Sequence, residues 1–212
     1  MKHPLKRFAA MRAALAVVLT LCMLLGMLLP AYATDSPVYF DDCDDKAGWS
    51  GVKGVDEEEM TEGKGSIYWV IPSRGGFHVT RKLDEPVDAS GKTYMEFDLY
   101  VSDADTFYTM GEHQFEVTSS GGSDVEEFTF YLNRMQIEDG WNHISLMIGG
   151  GCDFSRVNFI RIYALSHSGS ASYTMRIDNI RFVNREALPE DERVQTAVPV
   201  IKRALTWNTS TS

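Results

Sequence analysis

Tyr94-Met95-Glu96-Phe97-Asp98-Leu99-Tyr100-Val101 is the stretch that decides the fold class. Met95, Phe97, Leu99 and Val101 alternate with Glu96, Asp98 and Tyr100, the period of a strand with one apolar and one polar face. Upstream, Ile67, Trp69 and Ile71 alternate with Tyr68 and Val70, and Phe77, Val79 and Leu83 share one face of the next run. Downstream come Phe115 and Val117, then Phe128, Phe130 and Leu132, then Ile144, Leu146 and Ile148, and finally the runs 157–165 and 175–183. Turn-forming clusters separate them: Ser73-Arg74-Gly75-Gly76, Asp88-Ala89-Ser90-Gly91, residues 119–123, Gly149-Gly150-Gly151 and residues 166–172. Eight or nine short strands of this kind cannot bury their apolar faces singly. Two antiparallel sheets packed together, a jelly-roll-like β-sandwich, solve that problem. No helical pattern of the length a crossover needs separates the strands, which excludes a parallel α/β sheet.

The flanks differ from this domain. Lys2, Lys6, Arg7 and Arg12 form a basic start, an unbroken apolar run follows from Ala13 to Leu29, and Ala31-Tyr32-Ala33 supplies small residues for a signal peptidase. Residues 1–33 therefore read as a signal peptide, with cleavage after Ala33. The alternative is an uncleaved anchor, for which the run sits at the lower limit of length. Residues 34–183 read as the sandwich, and 184–212 as a linker or weakly ordered tail. In the tail Val194, Val198, Ile201 and Leu205 have helical spacing, but Pro199 interrupts them. Cleavage leaves a secreted or cell-surface protein with no membrane span.

The chain carries 20 basic and 30 acidic residues, net −10. The first 33 residues hold four of the bases and no acid, so 34–212 stand at −14. Such a field opposes nucleic acid and anionic lipid, both of which need positive surfaces. The catalytic and nucleotide motifs are missing too. Gly91-Lys92-Thr93 has Pro86 where a phosphate-binding loop needs its first glycine. His78, His113, His143 and His167 are scattered singly.

Three clusters remain. Glu96 and Asp98 point to the same strand face, and this pair resembles the E-x-D-x-x-E row of concanavalin-like glucanases. Val101 stands at the third position, however, and retaining hydrolysis needs two carboxylates about 5–5.5 Å apart. Asp41-Asp42-Cys43-Asp44-Asp45 is the densest group of oxygen ligands; it departs from an EF-hand at Lys46 and Ala47. It either binds a cation or stays solvated, and Asp178, in the last strand, is the candidate partner for calcium. Cys43 and Cys152 are the cysteines left after cleavage, and in an oxidising compartment they either form one disulfide or stand as two thiols.

Several stretches together carry a resemblance: Asp41-Asp42, Gly48-Trp49, Gly63-Lys64-Gly65-Ser66-Ile67, the run from Tyr94 to Asp103, Asp139-Gly140-Trp141-Asn142-His143 and Ile177-Asp178-Asn179-Ile180-Arg181-Phe182. Their order resembles the galactose-binding-like β-sandwiches, which include carbohydrate-binding modules of secreted bacterial proteins. The Gly-Trp-Asn turn is also similar to laminin-G-like sandwiches. The galactose-binding-like resemblance implies a structural calcium between Asp41 or Asp42 and Asp178, helped by backbone oxygens near 64–66. It implies a glycan or polysaccharide as ligand and carries over no binding residue.

A sugar needs a flat aromatic surface and fixed polar groups. Tyr100 and Tyr131 with Glu96, Asp98, Gln114, Glu116 and Asn133 lie on polar strand faces and would form one glycan-binding face if their strands were neighbours. Otherwise the two tyrosines simply cover the sheet. Trp49, Trp69 and Trp141 read as packing or turn residues. The reading is thus a secreted, non-catalytic carbohydrate-binding sandwich, with further modules and surface proteins as candidate partners. Its rivals are a protein-interaction or cell-wall structural sandwich without a sugar site, and a polysaccharide hydrolase or lyase using Glu96 and Asp98.

Overall fold

The computed structural model describes residues 36–165 and 171–185. The signal segment and the tail beyond residue 185 lie outside them, so the readings made of those segments do too. Among the described residues the strands are β1 (Val38–Asp41), β2 (Trp49–Ser50), β3 (Gly54–Asp56), β4 (Ser66–Ile71), β5 (Phe77–Val87), β6 (Tyr94–Val101), β7 (His113–Thr118), β8 (Glu127–Tyr131), β9 (Gly140–Met147), β10 (Val157–Ala164) and β11 (Tyr173–Val183). Eleven strands stand where eight or nine were expected. The additional ones are short, like β2 and β3, and two or three residues show no alternation to read.

All pairing is antiparallel. One sheet has the order β3-β4-β11-β6-β9, with β1 also paired to β11; the other has the order β2-β5-β10-β7-β8. The fold is therefore the expected two-sheet antiparallel β-sandwich. Its inner faces meet through the residues whose alternation announced them: Phe97 of β6 stacks on Phe115 of β7 at 4.4 Å, across the sheets. Trp69, Ile67, Met95, Leu99, Ile160 and Phe182 are fully buried in the same core. Truncating Phe97 to alanine would cost about 3–5 kcal/mol by the usual scale of core cavities.

One end of the core is closed by the helical turn Ala104–Phe107, capped by the Asp103 carboxylate accepting from Thr106 N at 2.8 Å. Phe107 there packs on His113 and Tyr173. Phe154, in the β9–β10 connection, reaches both Phe128 and Phe182 toward the other end.

A bulge in β11 sets the outward residues of the six-stranded sheet. Asp178 pairs with Asp98, but Arg181 pairs with Glu96, so β11 spends one extra residue there. Asn179 takes φ +57°, a region asparagine tolerates better than most residues. The extra residue keeps Ile177, Ile180 and Phe182 all buried while Asp178 and Arg181 share the outward-facing side.

Candidate functional site

From Phe159 to Ala164, β10 alternates strictly. Ile160, Ile162 and Ala164 are buried in the core, which leaves Phe159, Arg161 and Tyr163 on the outer face of the five-stranded sheet. The register sets His78, Tyr163, Gln114 and Tyr131 in one row across β5, β10, β7 and β8, and Thr80, Arg161, Glu116 and Thr129 in the next. A groove of about 470 Å³ opens over this face, lined by His78, Thr80, Asp124, Phe159, Arg161 and Tyr163 among others.

Arg161 is its centre. Its Nε and Nη2 both donate to the carboxylate of Glu116, the latter at 2.9 Å, and Nη2 also reaches Asp124 Oδ1 at 2.9 Å. The guanidinium lies 4.5 Å over the Tyr163 ring. Tyr163 in turn donates its hydroxyl proton to Gln114 Oε1 at 2.7 Å. Glu116 is only 1% exposed although it stands on the outer face. That burial pushes its carboxyl above the ordinary range in spite of the opposing hydrogen bond from Arg161. Burial and then the Glu116 charge raise the Tyr163 hydroxyl to about 12. The result is a fixed cation with a buried counter-ion, flanked along one strand by a phenyl and a phenol ring.

Of the residues expected to form a glycan face, Gln114, Glu116 and Tyr131 lie on this sheet, with the Arg134 guanidinium 4.1 Å over the Tyr131 ring. Asn133 does not continue β8; it sits in the 3₁₀ turn Leu132–Arg134, where its Nδ2 faces Gly111 O at 3.4 Å. Glu96, Asp98 and Tyr100 lie on the outer face of the six-stranded sheet. β6 and β8 belong to different sheets, and their polar faces turn away from the shared core in opposite directions. The single face therefore does not form.

Glu96 and Asp98 are instead committed to cations and hydroxyls. Glu96 receives Arg185 Nη2 at 2.5 Å and Arg181 Nη2 at 3.3 Å. Asp98 Oδ1 lies 2.8 Å from His143 Nδ1, and its Oδ2 accepts from Thr61 Oγ1 at 2.8 Å.

Of the residues expected to hold calcium, Asp41 and Asp42 have protein partners of their own. Asp41 is ion-paired with Arg81, and its Oδ1 accepts from Cys43 N at 2.8 Å and Trp49 Nε1 at 3.3 Å. Asp42 Oδ1 accepts from Asp44 N at 3.2 Å. Near residues 64–66 it is N–H groups that face inward: Lys64 N and Gly65 N both donate to the Asp44 carboxylate. Gly63 is required beside it, since it has φ +70° and a Cβ would fall 2.3 Å from Asp44 Oδ1. Asp178 is the member with an unpartnered carboxylate oxygen. It is fully buried; Oδ2 accepts from Thr61 N and Glu62 N, but Oδ1 has no hydrogen-bond partner, and neither has Oδ1 of the next residue, Asn179. Burial raises the Asp178 carboxyl against those hydrogen bonds. Among the described residues the three carboxylates that do converge are Glu116, Asp124 and Glu127, and Arg161 already lies among them as the cation.

Cys43 and Cys152 are free thiols, so the disulfide does not form. Cys43 is fully buried behind Asp41, and burial pushes its thiol up. Cys152 lies in the β9–β10 connection, half-buried, its thiol likewise raised by burial. Trp49 and Trp69 are packing residues as expected, whereas Trp141 lies on the outer face of β9. The sequence reading missed Phe159, Arg161, Tyr163 and His78. The signal was present: in Phe159-Ile160-Arg161-Ile162-Tyr163 the residues between the apolar ones are large, aromatic or cationic.

No family model matches the chain, and no curated protein matches it. Solved structures match its architecture. An exo-β-agarase is 16% identical with a TM-score of 0.53, over 74% of this chain and 26% of that one. The family 11 carbohydrate-binding module of a cellulosomal cellulase of Clostridium thermocellum is 14% identical with a TM-score of 0.49, over 74% and 100%. A carbohydrate-binding module of the β-sandwich superfamily, described for its promiscuous specificity, is 18% identical with a TM-score of 0.47, over 72% and 64%. The chain thus spans about a quarter of the agarase and less than two thirds of the last module. Carbohydrate-binding modules with a β-sandwich fold stand among its structural neighbours, and the likeness is one of fold.

Proposed function

We propose that the protein is a secreted, non-catalytic glycan-binding module whose ligand lies in the groove on the five-stranded sheet. The observation that carries this is the β10 arrangement: Phe159 and Tyr163 supply ring surface on either side of Arg161, which Glu116 and Asp124 hold in place. A pyranose offers a C–H face to a ring and hydroxyls to fixed donors and acceptors, and both kinds of group converge here. Secretion rests on the basic-apolar-small pattern of residues 1–33. The non-catalytic reading rests on Glu96 and Asp98, whose carboxylates are taken up by Arg185, Arg181, His143 and Thr61. Calcium belongs to the proposal as a structural ion at Asp178 and Asn179, where two buried oxygens lack partners; its role would be to neutralise a buried carboxylate.

Affinity electrophoresis of the full chain through gels of neutral polysaccharides tests the reading, run with calcium and with EDTA. Retardation of the wild type in at least one gel is expected, with a marked weakening in Tyr163→Ala at unchanged melting temperature. Absence of retardation in every gel overturns the function, and unchanged retardation of Tyr163→Ala overturns the groove. Equal melting temperatures in calcium and EDTA remove the ion.

A further inference from the structure

The outer face of the six-stranded sheet carries a feature that the groove does not use. Register aligns Gly54 of β3 with Tyr68 of β4, Tyr68 with Arg176 of β11, Arg176 with Tyr100 of β6, and Tyr100 with Trp141 of β9. Three aromatic side chains and one guanidinium therefore form a single row across the sheet. From Tyr68 to Trp141 it covers three strand intervals, about 14 Å.

The row is held in place by its own contacts. Arg176 lies 4.4 Å over the Tyr100 ring, and Tyr100 meets Trp141 edge to face at 5.5 Å. Asp56 accepts from Arg176 Nε at 3.0 Å and Nη2 at 2.8 Å, which fixes the guanidinium and cancels its charge. At the β3 end the missing side chain of Gly54 makes room for Tyr68: a Cβ there would stand 3.3 Å from Tyr68 Cε1 and 3.9 Å from its hydroxyl.

The side chains are only half-buried. Among the described residues, the hydroxyls of Tyr68 and Tyr100 and the indole nitrogen of Trp141 have no protein partner and are not sealed from solvent. A surface whose rings are ordered while their polar tips face water is prepared for a ligand that is flat, neutral and rich in oxygen. The exposed run Glu57, Glu58 and Glu59 next to Asp56, with Asp98 one row away, gives the border a negative sign that opposes polyanions.

We infer that this row is a second glycan site, for a neutral polysaccharide chain, on the side of the sandwich opposite the groove. It takes its class of ligand from the proposed glycan-binding function but shares no residue with the groove. With two sites facing away from each other, one molecule joins two polysaccharide chains, and avidity rather than affinity at either site sets retention on a polymer.

The test uses the full chain in gels of mixed-linkage β-glucan, galactomannan and agarose, with polygalacturonate as the anionic comparison. The proteins are the wild type, Tyr163→Ala for the groove, Tyr68→Ala with Trp141→Ala for the row, and the triple variant. Each partial variant is expected to weaken retention about tenfold, the triple variant to abolish it, and the Trp141 indole N–H resonance of the wild type to shift on adding the retaining polysaccharide. Wild-type retention in the row variant with an unmoved Trp141 resonance overturns the row and leaves the groove standing. Loss in the row variant with full retention of Tyr163→Ala overturns the groove and leaves the row. Retention in polygalacturonate alone overturns the neutral ligand, and no retention in any gel overturns both sites. The resonance shift is read on unaltered protein, so it decides the matter even where the alanine variants loosen β9.

Discussion

The two outer faces of the sandwich solve the same problem in opposite ways. Each must cover a sheet whose other side is a largely apolar core, and each uses an arginine over a tyrosine ring, Arg161 over Tyr163 and Arg176 over Tyr100. On the five-stranded sheet the arginine's partner is Glu116, 1% exposed and sunk among β7, β8 and β10. On the six-stranded sheet it is Asp56, at the end of a short strand with its side chain 21% exposed. The same pair of charges is thus dry on one face and wet on the other. A buried carboxylate that loses its cation has nothing to replace it, whereas a wet one has water.

Removing each arginine gives the largest expected contrast. Arg161→Ala strands the Glu116 carboxylate and should cost about 3 kcal/mol, which for a domain of this size is roughly 6–12 °C in melting temperature. Arg176→Ala should cost under about 1 kcal/mol, because water can reach Asp56. Adding Glu116→Gln to Arg161→Ala should recover part of the loss, since an amide is cheaper to bury than a charge. Thermal melts of the four proteins at neutral pH check this. Equal losses from the two arginines would erase the distinction between the faces.

Acid sharpens the same contrast, because the two carboxylates titrate in opposite senses. Burial holds Glu116 above its ordinary value of 4.5, so the folded protein binds that proton more tightly than the unfolded chain. Its contribution to stability is complete below 4.5 and falls as pH rises through the raised value. Asp56 behaves in reverse: desolvation pushes it up, but the hydrogen bonds from Arg176, Glu58 N and Glu59 N outweigh this and hold it below 3.8. Its contribution is present above 3.8 and disappears as pH falls through the depressed value. In urea unfolding from pH 3 to 7, Glu116→Gln should therefore gain on the wild type as pH rises above 4.5. The deficit of Asp56→Asn should shrink as pH falls below 3.8. Parallel pH profiles for wild type and both variants would show that neither pair carries the assigned burial.

These contrasts also explain how much of the molecule was legible in the sequence. Alternation in the run 94–101 gives the strand, its inward residues and its outward ones, because side-chain direction follows from local geometry alone. Which strands are neighbours does not, and the proposed partnership of Tyr100 with Tyr131 failed for that reason: both face outward, on different sheets. The acidic cluster at 41–45 shows a related limit of local reading. Its composition matches a cation site, yet Arg81, far along the chain on β5, supplies the positive charge to Asp41. Asp178 was singled out only as a carboxylate in the last strand, although its flanks carry a further signal. Ile177, Ile180 and Phe182 break period two, and the break is the bulge that sets Asp178 beside the Thr61–Glu62 segment. The Phe159, Arg161 and Tyr163 set was readable in principle, since it is the outward face of a strand whose inward face the alternation already marks. Two rings around a cation match no carboxylate or metal-ligand motif, so nothing but that alternation points to them.

The smallest expected effect on stability is the most discriminating test of what the six-stranded face is for. Gly54 has no left-handed backbone requirement, and β3 is a strand, so a β-branched residue there suits the backbone better than glycine does. Gly54→Val should leave stability within about 1 kcal/mol of the wild type, a shift of no more than roughly 2–4 °C, with the gain in strand propensity offset by the 3.3 Å approach to Tyr68. That approach displaces the Tyr68 ring and leaves the contact of Arg176 with Tyr100 intact. A face that serves only to cover the sheet would register the change as a trivial shift in melting temperature and nothing else. A face that binds a glycan should weaken polysaccharide retention while its stability stays level, and that separation cannot come from packing alone. Retention equal to the wild type, with the Tyr68 ring shown by its resonances to have moved, would reduce the row to a covering ladder and leave ligand binding to the Arg161 groove.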